Sequence, residues 1–199
     1  DIGVFRGVYS YKIAEYSNKV YGFEANPVMF NYLNKNLTKL KENIVLHNIA
    51  LSDSEGYAKL KIPIRKKSMI KSNFEDYYEG GSATIESDNN LNNKKFDTFD
   101  VKKLTLDSFN FDQTIGFIKI DVEGHEKEVI EGAKNLIKTF KPILLVEIEE
   151  RHNKKPVIET INFVKELGYS PFYYKKKELH SLEKLKNLNQ ENNFYFLPK

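Results

Sequence analysis

A chain of 199 residues is long enough for one well-filled core and short for two domains. With 40% hydrophobic and 30% charged residues it has an ordinary globular balance, and a net charge of +3 is too small to argue for nucleic acid. The absence of cysteine excludes disulfides and thiol chemistry and suits a reducing, cytoplasmic setting, and no apolar run approaches the ~18 residues of a membrane span.

Asp1-Ile2-Gly3 reads as the end of a strand whose start lies upstream. A glycine turn, Gly3–Gly7, leads into a helix over roughly 8–18. VYGFE (20–24) is a short strand ending on Glu24. Asn26-Pro27 then starts a helix, a capping side chain followed by proline at the first helical position. Phe30, Leu33, Leu37 and Leu40 recur along it at helical spacing. NIVLHNIAL (43–51) predicts a third strand, and 56–62 alternates as an edge strand does. Residues 63–95 are polar and aperiodic, a length that in a compact domain points to a functional or disordered loop. Strand character resumes over 97–106.

GFIKID (116–121) predicts the central buried strand. One helix should follow, with Val129, Ile130, Ala133, Leu136, Ile137 and Phe140 on its apolar face, stopped by Pro142. PILLVEI (142–148) is a further buried strand. A helix over 156–167 carries Ile158, Ile161, Val164 and Leu167 and stops at Gly168. YSPFYY (169–174) and NFYFLP (193–198) look like an antiparallel pair. Strands alternating with helices predict an α/β fold, and without repeat or linker residues 1–199 read as one domain. Lysine clusters at 65–67, 94–95, 102–103 and 175–177 are solvated faces, or an electropositive rim for an anionic substrate.

Chemistry concentrates at strand ends. Asp121 and Glu123 lie where a buried strand turns through Gly124 into a helix, the sheet edge at which open α/β folds bind ligands. Asp1, Gly3 and Gly7 make a tight turn that lets a nucleotide approach the backbone, or a plain strand-to-helix turn. Glu24 could accept hydrogen bonds from both ribose hydroxyls of an adenosine cofactor, or be a surface glutamate. Asn48-Ile49-Ala50-Leu51-Ser52-Asp53 could border an adenine, or form an ordinary turn.

GFEANP, NIALSD, GSATIE, TLDSF, FIKIDVEGHEKEVIEGA and PILLVEIEERH, in that order, resemble the FkbM-type methyltransferases over nearly the whole chain. The resemblance implies a Rossmann-like class I methyltransferase, a three-layer sandwich on a mostly parallel seven-stranded sheet with a C-terminal antiparallel pair. It implies methyl transfer from S-adenosylmethionine to a hydroxyl of a small-molecule or glycan acceptor. By position, Asp1, Gly3 and Gly7 would hold the methionine part, Glu24 the ribose, and Asn48, Ala50 and Leu51 the pocket beyond the third strand. The family's first turn usually reads Asp-x-Gly-Ala-Asn-x-Gly. Here Val4 adds bulk and Phe5 removes a polar side chain, and both weigh against cofactor affinity.

A base within reach of an alcohol proton speeds such a transfer by roughly 10²–10⁴-fold. Asp121 is favoured because it lies nearest the buried strand end, with Glu123 as second base or substrate guide. The two could instead bind a divalent cation, though no further ligand set is evident. Asp121 could also simply cap the next helix, and His125 reads as an exposed first-turn residue. Lys119 on the buried strand needs a partner, and Glu147 is the candidate. Glu149, Glu150 and His152 stand at the same edge, and Tyr77 and Tyr78 in the 63–95 segment could stack on a sugar. Two other classes remain: a nicotinamide-dependent oxidoreductase, which lacks its complete glycine pattern here, and a non-catalytic domain that has lost the cofactor.

Overall fold

Most strand-like runs form strands and most amphipathic periods form helices, with ends shifted by tertiary contacts. The protein, described from a computed structural model, is defined over residues 1–65, 78–87, 89, 91, 94–149, 156–185 and 187–199. Lys66, Lys67, Tyr77, Glu150 and His152, singled out above, lie outside the described residues. Internal contacts divide the chain into two units, residues 1–51 with 55–104 and residues 52–54 with 105–199.

In the first unit Ile2 bridges Phe23 in parallel, as a strand end at this position should. Helix α1 (Val8–Ile13) is shorter than predicted. Strand β1 (Val20–Phe23) runs parallel to β2 (Ile44–His47). Between them α2 (Pro27–Leu40) starts as the sequence dictates, with Asn26 Oδ1 accepting from Val28 N at 3.0 Å and Met29 N at 3.3 Å. Its buried stripe is Met29, Leu33 and Leu37, whereas Leu40 is exposed. Leu33 and Leu37 pack with Val4, Ala14, Val20 and Ile44.

The predicted strand 43–51 is two strands. It breaks at Asn48, whose Nδ2 donates to the carbonyls of Glu24 at 2.7 Å and Ala25 at 3.2 Å. After the break β3 (Ala50–Leu51) runs parallel to β5 (Phe96–Leu104), which pairs antiparallel with β4 (Gly56–Pro63). Ala50, Leu60, Ile62, Tyr78 and Val101 form the core here. The described part of the 63–95 segment is tied to β4. Thr84 bridges Lys61, Tyr78 bridges Ile64, and Lys61 Nζ donates to the carbonyls of Glu86, Ser87 and Asn89.

In the second unit β6 (Phe117–Ile120) runs parallel to β7 (Ile143–Glu147). Beyond them lie β10 (Asn193–Pro198), β8 (Tyr169–Lys175) and β9 (Glu178–Ser181), in the order β6-β7-β10-β8-β9. The predicted antiparallel pair is β8 with β10, and β9 extends it by a hairpin. Tyr169 is buried at the start of β8. Its hydroxyl donates to Pro142 O at 2.9 Å, and burial pushes the phenol up to about 12.

The single helix expected after β6 is two, α3 (Glu126–Glu131) and α4 (Lys134–Phe140). The interruption at Gly132-Ala133 exposes the first N–H groups of α4, and the Asp107 carboxylate accepts from Asn135 N at 2.9 Å and Leu136 N at 2.8 Å. Gly132 also lies against residue 52, where a Cβ would come 1.9 Å from Ser52 O. The last helix, α5 (Val157–Glu166), buries Val157, Thr160, Ile161 and Val164, while Ile158 faces out. The α/β class is as expected, and among the described residues the strands form three sheets of two, five and three. No helix among the described residues is long and apolar enough to cross a membrane.

Candidate active site

The first unit gathers its predicted site residues around the end of β1. Glu24 is 7% exposed, and its carboxylate fastens the glycine turn to the start of α2. Oε2 accepts from Phe5 N at 2.7 Å and Oε1 from Asn26 N at 2.8 Å. Gly3 and Gly7 both have φ 77, a left-handed backbone that glycine adopts without cost. A side chain at Gly7 would also come 2.7 Å from Leu37. Asp1 Oδ2 accepts from the buried Ser10 hydroxyl at 2.6 Å. Asn48 holds the carbonyls that follow Glu24, and Ala50 and Leu51 are buried in β3.

The two departures in the turn act differently from each other. Val4 points into the core and is 4% exposed, so its bulk is taken up by packing. The space comes from Gly22, where a Cβ would lie 3.0 Å from Val4 Cγ2. This corrects the expectation that Val4 crowds the ligand side. Phe5 has φ 51, a conformation that asparagine tolerates better than phenylalanine. Its ring lies against Gly81, where a Cβ would come within 3.1 Å, and the Arg6 guanidinium stands 5.5 Å from the ring centroid.

In the second unit Asp121 follows β6, with its Oδ2 3.2 Å from the Nζ of the buried Lys119. The partner foreseen for Lys119 was Glu147. The register Lys119↔Leu145 and Ile120↔Val146 carries Asp121 and Glu147 to adjacent positions on the same face. Glu147 was expected as the partner of Lys119 and does feel its charge, but its place beside Asp121, a signal in PILLVEI itself, also makes it one of the carboxylate cluster. Burial, then the charges of Asp121, Glu149 and Glu123, push its carboxyl up to about 7, against the pull of Lys119. Glu149 Oε1 accepts from Asn192 Nδ2 at 2.6 Å.

The loop after Asp121 is held from within. Glu123 has φ 56 and Gly124 φ 107, and Glu126 Oε1 accepts from Gly124 N at 3.0 Å and Val122 N at 3.3 Å. Asp121 does not cap α3, because the residue at the N-cap is His125, which makes no side-chain cap. Nor is His125 exposed. It is 8% exposed, and its Nε2 lies 2.8 Å from Ser52 Oγ, a partner 73 residues away.

Glu147 carries a pH prediction that depends on no ligand. Native Glu147 keeps its proton to about 7, whereas an ordinary glutamate releases it near 4.5. Between these values the native state binds more protons, so its stability falls as pH rises. The contribution is complete below the lower value and lost as pH passes the upper one. Screening at this half-buried position leaves roughly 1–2 kcal/mol. Glu147→Gln is expected to gain that much on wild type between pH 4.5 and 8 in urea unfolding, and parallel profiles would contradict it.

Each unit carries a parallel strand pair that ends on a carboxylate, Glu24 after β1 in the first and Glu147 at the end of β7 in the second, and the comparisons with known proteins give the class of fold. The chain is similar to the crystal structure of methyltransferase FkbM from Methylobacillus flagellatus KT, with a TM-score of 0.61 and 13% identity over 99% of this chain. It spans 42% of that protein's length. The profile of the Methyltransferase FkbM domain matches residues 1–171, and the chain belongs to that family. Comparison with curated proteins returns no match. Family membership supports a methyltransferase.

Proposed function

We propose that the protein is an S-adenosylmethionine-dependent O-methyltransferase acting on a hydroxyl of a sugar, glycan or other small molecule. The observation that carries this reading is Glu24, a buried carboxylate at the end of β1 bound to the backbone of the glycine turn. A carboxylate oxygen can accept more than one hydrogen bond, so its bonds from Phe5 N and Asn26 N are compatible with a role toward ribose hydroxyls. The left-handed Gly3 and Gly7 and the inward-facing Val4 are compatible with a methionine group lying on the turn.

In this reading Asp1, Gly3 and Gly7 hold the methionine part, Glu24 the ribose, and Asn48, Ala50 and Leu51 border the adenine. S-adenosylmethionine supplies an electrophilic methyl group, so the protein's contribution is orientation and removal of one proton. Asp121 takes the acceptor's hydroxyl proton and Glu123 orients the acceptor. One domain over 1–199, a cytoplasmic setting and the seven-stranded Rossmann-like sheet go with the proposal. Support for the last comes from the parallel pairs β1–β2 and β6–β7 and the antiparallel β10.

Calorimetry with S-adenosylmethionine and S-adenosylhomocysteine tests it, and no binding of either sinks it. Where binding is measured, Glu24→Ala is expected to weaken it by about 1–3 kcal/mol, the scale for losing a buried polar partner.

A further inference from the structure

The loop that presents Asp121 and Glu123 has a backbone its own sequence does not prefer. Glu123 is left-handed at φ 56, a conformation an L side chain keeps only when its surroundings impose it. One fastener is internal, the Glu126 carboxylate on Gly124 N and Val122 N. It ties the loop to its own helix, Lys119 holds Asp121 from the strand side, and a further contact can anchor the loop to a distant segment.

His125 does this. It is buried directly after the loop, and its ring reaches Ser52 Oγ at 2.8 Å. The Ser52 hydroxyl donates to Asp53 Oδ1 at 3.0 Å, so its oxygen is left to accept from the imidazole Nε2–H. On the far side of the ring Nδ1 stands 3.9 Å from Glu128 Oε2. Ser52 is a firm anchor because it is itself fully buried. Its carbonyl is packed so tightly on Gly132 that no side chain fits there. One serine thus meets α3 at both ends, at His125 before it and at Gly132 after it.

We infer that His125 is a positioning residue, which sets the Asp121–Glu123 loop for proton removal by donating a hydrogen bond to Ser52. The inference rests on the proposed methyl transfer for its catalytic consequence but not for its structural one. Three replacements in the full chain separate them. His125→Ala removes the donor. In His125→Gln an amide N–H can stand close to where Nε2–H stands, and in His125→Asn the amide is too short to reach.

His125→Ala is expected to lower kcat by roughly 10²-fold, the scale for displacing a reacting group by about an ångström, with the Kd of S-adenosylhomocysteine within about 2-fold of wild type. Amide exchange at Gly124 should quicken by about 10-fold as the loop loosens. Glutamine should restore both quantities and asparagine neither. Ser52→Ala should reproduce the alanine phenotype and add nothing to it in the double variant, since the pair acts as a unit. The inference is overturned if glutamine behaves as alanine does, if exchange at Gly124 is unchanged, or if the two single variants add fully. Should wild type show no turnover, the methyl-transfer reading falls, and exchange together with the double variant still decides the role of His125. Should His125→Ala not fold, Ser52→Ala and the glutamine–asparagine comparison decide the same question.

Discussion

Replacing Asp121 by asparagine is expected to lower kcat by roughly 10²–10⁴-fold, the usual contribution of a positioned general base. The affinity for S-adenosylhomocysteine should stay within experimental error of wild type. Asparagine keeps the shape of the side chain, so the loop after β6 need not move, but the amide is not a base. Lys119 is the neighbour that feels the change, because its buried ammonium lies 3.2 Å from the carboxylate that is neutralised. Part of the effect is therefore on stability, and a melting curve separates the two. Turnover equal to wild type would remove Asp121 from the proton-accepting role, and Glu147 beside it would be the group to examine next.

Gly132→Ala carries the largest expected effect on stability. In an unencumbered helix end this substitution stabilises by up to about 1 kcal/mol, because alanine gives up less backbone freedom than glycine. Gly132 has φ −73, which alanine adopts without strain, so the backbone gives no reason for the sign to change. Space does. The new carbon would come 1.9 Å from Ser52 O, and the obstacle is main chain, which cannot rotate away. A loss of at least ~3 kcal/mol is expected, or a fall in Tm of about 6–12 °C for a chain of this size. Thermal unfolding by circular dichroism reads it directly, and an unchanged or raised Tm would contradict the packing described at Ser52.

The sequence was legible wherever the determining interaction is local. Asn26-Pro27 starts α2 because capping acts within three residues, and the C-terminal pair was found because β8 and β10 are rich in aromatics. Glu24 and Asp121 were found because strand ends can be read from the runs that precede them. What escaped was decided at a distance. The apolar spacing from Val129 to Phe140 fits one unbroken helix, and the carboxylate that breaks it belongs to Asp107. Nothing around His125 signals that it is buried, since its partner is Ser52. The run 43–51 looks continuous, yet the Asn48 side chain leaves it for carbonyls at the end of β1. Glu147 was visible as a residue but not as an acid held near neutrality. That property comes from Asp121, Glu123 and Glu149 together with burial.

The way Val4 fits its core has a consequence for how related sequences can vary. A Cβ at Gly22 would meet Val4 Cγ2 at 3.0 Å and Leu46 Cδ2 at 2.6 Å, so positions 4, 22 and 46 divide one fixed volume among three side chains. Growth at one must be matched by shrinkage at another. A homologue with alanine in the first turn can accept a side chain at the position of Gly22 once the residue matching Leu46 also yields. Valine in the turn should therefore occur together with glycine at the position of Gly22 in β1, and the two positions should change together across an alignment even though neither side chain need meet a ligand.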